Sequence, residues 1–134
     1  MSFLGIFAAA IAAWGFGAAY YNALGKTWLD AVGFRPEERA RIEGREKMDA
    51  TPFILSFVAE LLMAIVMSGV MMQFSPPSLV KGAAIGVTVW LGFVAGPMIV
   101  NNAYAMRSLR LTALDAGHWL GVLILMGAII GAIG

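Results

Sequence analysis

Three ionisable residues stand where ionisable side chains are costly. Glu60 lies inside one long apolar stretch, and Asp115 and His118 lie three residues apart in another. On a helix that spacing puts Asp115 and His118 on one face, within reach of a common partner. A carboxylic acid beside an imidazole can exchange protons near neutral pH, so the trio has the chemistry of a proton relay. The alternative is structural: a buried hydrogen-bond network that fixes helix register, completed by Tyr20, Tyr21, Asn22, Asn101 and Asn102. One His and two carboxylates without a repeated spacing make a weak ligand set, so no metal is expected. Ser56, Ser68 and Thr88 have no base at a revealing spacing, and no phosphate loop, dinucleotide fingerprint or zinc-protease motif occurs. Without cysteine there is no thiolate chemistry either; no cofactor is expected, and an enzymatic activity is left open as the less favoured reading. The stripe Met63, Met67 and Met71 reads as flexible packing rather than soft-metal or haem ligation.

These residues are carried by a chain of 134 residues, 60% hydrophobic and only 13% charged, which is outside the range of soluble domains. Apolar runs of about 20 residues, the length that crosses a hydrocarbon core, cover 3–24, 52–74, 82–106 and 113–133. None alternates as a barrel strand must, and helices satisfy every backbone group in lipid. The expected fold is therefore an all-α integral membrane bundle of four transmembrane helices in a single domain. The first basic residue, Lys26, follows the first run, so that run is expected to be retained rather than cleaved as a signal peptide. Glu60 then lies about 12 Å along the second helix, inside a core about 30 Å thick. A lipid-facing charge there costs on the order of 3 kcal/mol.

Four spans put both termini on one side, with Lys81. The other side receives the loop 25–51 and the last connection, which together hold Lys26, Arg35, Arg39, Arg41, Arg45, Lys47, Arg107 and Arg110. The positive-inside rule predicts a cytoplasmic loop 25–51 and outside termini, in a bacterial plasma (inner) membrane. Trp28, Leu29 and Val32 share a face beside Lys26, which suits a short surface helix with Trp28 and Lys26 as interfacial anchors. From Pro36 the loop becomes charged, with Glu37–Arg41 and Glu43–Lys47 four apart, the pattern of a solvated helix.

Small residues recur at spacings of four: Ala9, Ala13 and Gly17; Gly82 and Gly86; Gly92 and Gly96; Gly117 and Gly121; Gly127 and Gly131. They are densest in the third and fourth spans and predict a tightly packed pair there. Pro97 should disturb the third span by freeing a carbonyl near Phe93. A faint internal echo relates the first two spans to the last two. Trp14-Gly15-Phe16 parallels Trp90-Leu91-Gly92-Phe93, and Glu60 aligns with His118.

Several segments carry a resemblance. They are Gly17-Ala18-Ala19-Tyr20-Tyr21 followed by Gly25-Lys26-Thr27-Trp28; Trp90-Leu91-Gly92-Phe93-Val94-Ala95 with Asn101 and Arg107-Ser108; and Leu114-Asp115-Ala116-Gly117-His118-Trp119 with Met126-Gly127-Ala128-Ile129. Across essentially its whole length the chain resembles the bacterial and fungal membrane family called domain of unknown function 1761. It departs at Asn22, where a Ser-Pro pair is expected, and at His118, where an aromatic residue is more usual. The resemblance implies four helices and no established activity. The sequence therefore favours a non-enzymatic accessory or interaction subunit in the lipid bilayer, as a homo-oligomer or part of a larger membrane complex. A small proton- or ion-coupled transporter using the Glu/Asp/His cluster is the alternative, and an intramembrane enzyme acting on a lipid or quinone comes third. A net charge of +1 gives no reason to expect nucleic acid.

Overall fold

Helices account for every regular element in the computed structural model, which describes residues 2–43 and 50–134. Four of them are long and apolar enough to cross a membrane: Phe3–Val32, Thr51–Met71, Leu79–Tyr104 and Leu109–Ile133. They are called the first to fourth spans below. This is the expected all-α bundle, and it is compatible with a multi-pass membrane protein.

The first span does not stop at residue 24. It runs unbroken for 30 residues to Val32, so the separate surface helix expected around Trp28 is its last two turns. Hydropathy marks where a chain can leave lipid, but Lys26 and Asp30 do not interrupt backbone hydrogen bonding. What ends the helix is Gly33, whose left-handed conformation (φ 76°) brings its N–H onto the Leu29 carbonyl. At about 1.5 Å per residue the span is about 45 Å long, more than a hydrocarbon core needs.

A short helix, Pro36–Glu43, follows. Proline opens it as expected, but its ion pairs are Arg35–Glu38 (2.7 Å) and Arg39–Glu43 (2.9 Å), with Arg39 also bound to Asp30 of the first span. No Glu37–Arg41 pair forms among the described residues. The Glu43–Lys47 pairing, like Arg45, lies outside them.

The third span has three parts: an α-helix Leu79–Val89, a π-helical turn Trp90–Ala95 and an α-helix Gly96–Tyr104. The disturbance expected from Pro97 takes this form. A wider turn just ahead of the proline accommodates a ring that would clash with the preceding α-helical carbonyl.

The fourth span is the central element, packed against all three others, and 44% of its most apolar window is buried against 11% for the third. It begins at Leu109, where the Ser108 side chain accepts from Leu111 N–H (3.1 Å) and donates to the Ala31 carbonyl (2.8 Å). The N-terminal cap of the fourth span is thus tied to the far end of the first. Met67, Met71, Val122 and Met126 fill the core with Ala9, Ala10 and Ala13, so two of the three stripe methionines are packing residues and Met63 lies against them.

The expected tight pair is present. A Cβ on Gly82 would fall on the Gly127 carbonyl, one on Gly127 on the Gly82 carbonyl, one on Gly86 on the Leu123 carbonyl, and one on Gly131 on the Ser78 carbonyl. Lipid tails are as apolar as the side chains, so this backbone approach and its dispersion contacts hold the pair together. Gly92, by contrast, faces open space.

Candidate functional site

The polar residues that the sequence groups together form two clusters. One is built on the first, second and fourth spans. The other is Asn102, buried on the third span, which donates to Thr112 Oγ1 of the fourth at 3.0 Å. Asn101, on the neighbouring face, is exposed.

In the first cluster the first span supplies one side. Residues 17, 20, 21 and 28 are spaced to face the fourth span over three turns, and each has a distinct task. Tyr20 donates to the Leu114 carbonyl (2.7 Å), Tyr21 to Asp115 Oδ1 (2.6 Å) and Trp28 Nε1 to the same oxygen (3.2 Å). Asp115 is therefore held by Tyr21 and Trp28 rather than by Glu60. Trp28, expected as an interfacial anchor, is half-buried, with its ring edge-on to Tyr21 and Phe34. Lys26 is exposed.

His118 sits in an aromatic box. Phe16 lies parallel to it (6.1 Å, 9°), Tyr20, Tyr21 and Trp119 surround it at 4.6 to 5.6 Å, and only 6% of the residue is exposed. Gly17 makes room for it, since a Cβ there would lie 2.7 Å from His118 Nε2. Glu60 is still more buried, 2% exposed, one turn along the helix from Ser56. Glu60 Oε2 and His118 Nδ1 are both buried without a hydrogen-bond partner among the described residues.

These two groups line one cavity of about 830 Å³ between the first and second spans, floored by the fourth. Its polar lining is Glu60, His118, Asn22, Ser56 and Tyr21, and its aromatic lining adds Trp14, Phe53 and Trp119. Ala18, Ala19, Phe53 and Ser56 line it and are also exposed, so the cavity reaches the outer surface between the two helices. Trp14 closes one end, with its indole N–H on the Phe53 carbonyl (3.2 Å) and its ring edge-on to Phe57 (5.6 Å).

The sequence brings Glu60, His118, Tyr21 and Asn22 to this place, with Asp115 and Tyr20 directly behind. Phe16, Trp14 and Phe53 were not foreseen. Only the stripe Ala9, Ala13 and Gly17 hinted that the first span comes close enough for its aromatic residues to enclose an imidazole. Chemically the site offers a carboxyl and an imidazole with free hydrogen-bonding capacity, in aromatic surroundings. No group of three or more His, Cys, Asp or Glu residues suited to a metal ion occurs among the described residues. Among the described residues, Ser56 makes no hydrogen bond to Glu60 or His118.

The family model described as "Protein of unknown function (DUF1761)" matches residues 4–131. The match takes in nearly the whole chain, which therefore belongs to that family. No curated protein and no solved structure matches the chain.

Proposed function

We propose that this DUF1761 member is a membrane-embedded binding protein of the carrier class, holding a small lipid-soluble molecule between its first and second spans. The observation that carries this reading is the cavity of about 830 Å³ lined by Glu60 and His118, each of which keeps a buried polar atom with no hydrogen-bond partner among the described residues. An unsatisfied buried polar group costs about 1–3 kcal/mol, and more if charged, so a fold that keeps two such atoms in residues lining one cavity favours an occupant that these side chains can turn to meet. The exposed Ala18, Ala19 and Ser56 at its margin give access from the lipid. In this reading Glu60 and His118 exchange protons with the cavity, while Asp115 positions Tyr21 and Trp28.

The bias of Lys and Arg supports outside termini and a cytoplasmic loop 25–51 in a bacterial plasma membrane. The cavity then lies in the cytoplasmic half, since Phe53 to Glu60 and His118 are near the helix ends on that side. A second reading, assembly as a homo-oligomer or accessory subunit, is favoured by the outer face of the third span. There Leu91 and Phe93 are exposed beside Gly92, whose surroundings are open.

The hydrophobic reagent dicyclohexylcarbodiimide tests the first reading. It adds to protonated carboxyl groups reachable from lipid and is read out by peptide mass spectrometry. Glu60 is expected to be modified and Asp115 spared, and Ser56→Trp, which fills the margin, should suppress the modification. An unmodified Glu60 in the intact bilayer overturns the reading.

A further inference from the structure

We infer that the occupant of this cavity is a lipophilic organic cation, an amine or quaternary ammonium ion carrying apolar groups, which takes the place of the proton on Glu60. The inference rests on the cavity being a ligand site, and adds the ligand's charge and chemistry.

Charge is the first ground. Glu60 is the one formally charged side chain among the cavity's described lining residues, and no described Lys or Arg lines it. A carboxylate in apolar surroundings persists only with a proton or a positive partner. An anionic ligand would meet that carboxylate without a compensating cation among the described residues.

The aromatic lining is the second. Trp14, Tyr21, Phe53 and Trp119 surround the space, and aromatic faces attract cations, most strongly when water is excluded. Their polar edges are already engaged in two cases. The Tyr21 hydroxyl is bound to Asp115 and the Trp14 indole N–H to the Phe53 carbonyl, so neither donor is free for a ligand and the two residues contribute aromatic surface. The volume of about 830 Å³ accommodates apolar substituents around the charged centre.

A proton and such a cation compete for one carboxylate, so binding weakens on acidification. Among the described residues, the titratable groups that line the cavity with Glu60 are Tyr21 on the first span and His118 on the fourth, with Asp115 behind Tyr21. No third-span residue lines the cavity. Protonating His118 places a second positive charge beside the cation and acts in the same direction.

The test uses the full chain in nanodiscs of neutral lipid, with Trp14 and Trp119 as fluorescent reporters. The probes are benzyltriethylammonium, whose charge does not depend on pH, and its uncharged isostere with carbon in place of nitrogen. The cation should bind saturably, weaken on acidification, and weaken by about tenfold or more in Glu60→Gln. The isostere should respond to neither change. Circular dichroism verifies the fold of Glu60→Gln, and Glu60→Asp, which keeps the charge, should retain cation binding. Cation binding that is indifferent to both pH and Glu60→Gln overturns the inference. So does saturable binding of the isostere alone, although the ligand-site reading then stands. If neither probe binds, the cation is ruled out, and carbodiimide modification of Glu60 shows whether the ligand site falls with it.

Discussion

The two helix pairs of this protein echo one another in sequence but are closed in opposite ways. Between the third and fourth spans, backbone meets backbone at Gly82 and Gly127, and Asn102 bonds to Thr112 across the seam. Between the first and second, contact runs through bulky side chains such as Trp14 against Phe57, and the helices part around the cavity that Glu60 lines. Each pair carries one indole tie, Trp14 to the Phe53 carbonyl and Trp90 to the Ala116 carbonyl. The difference lies in the missing Cβ atoms. Where lipid gives helices no hydrophobic reason to associate, close approach decides which seam shuts and which stays available to a ligand. The fourth span serves both, with Gly127 and Gly131 toward the third span and Gly117 and Gly121 toward Tyr20 and Phe16 of the first.

Alanine placed in the two seams should separate them most sharply. Gly82→Ala or Gly127→Ala puts a methyl group on a backbone carbonyl that cannot swing away, and is expected to cost about 3 kcal/mol or more. Unfolding in mixed micelles of increasing detergent denaturant measures it. Gly92→Ala, in open space, should be neutral or stabilising by up to about 1 kcal/mol. Equal losses at Gly82 and Gly92 would break the contrast.

Gly17→Ala comes next, at about 1–2 kcal/mol, because the aromatic box gives the His118 ring little room to retreat. It should also reduce carbodiimide modification of Glu60. Combined with His118→Ala, the cost of Gly17→Ala should largely disappear, a coupling of about 1 kcal/mol in a double-mutant cycle.

Asn102→Ala should destabilise by about 1 kcal/mol through loss of its bond to Thr112, and Thr112→Val should add little to it. Labelling of Glu60 should be unchanged in both, since this network belongs to the closed seam. The smallest effect on stability is expected for Ser56→Trp, within about 0.5 kcal/mol, because Ser56 is exposed at the cavity margin. The same substitution abolishes labelling of Glu60 if the margin is the route from lipid.

Some of this was written in local pattern. Long apolar runs gave four helices because backbone in lipid has no other means of satisfying its hydrogen bonds, and glycines four apart announced the third and fourth spans as neighbours. Helix ends were less legible. Residues 26–32 read as a separate surface segment, since hydropathy follows solvent, whereas the helix follows its own hydrogen bonds until Gly33. The site was legible as a set of residues but not as an arrangement, because spacing fixes which residues share a helix face and leaves open which face meets which neighbour. Asp115 and His118 share a face as their spacing requires. Only tertiary packing gave Asp115 to Tyr21 and Trp28, enclosed His118 with Phe16, moved Asn102 to another seam, and left Glu60 at the edge of a cavity without a hydrogen-bond partner for Oε2 among the described residues. Those outcomes depend on the rotation and separation of helices far apart in sequence, which are set by where backbones can touch.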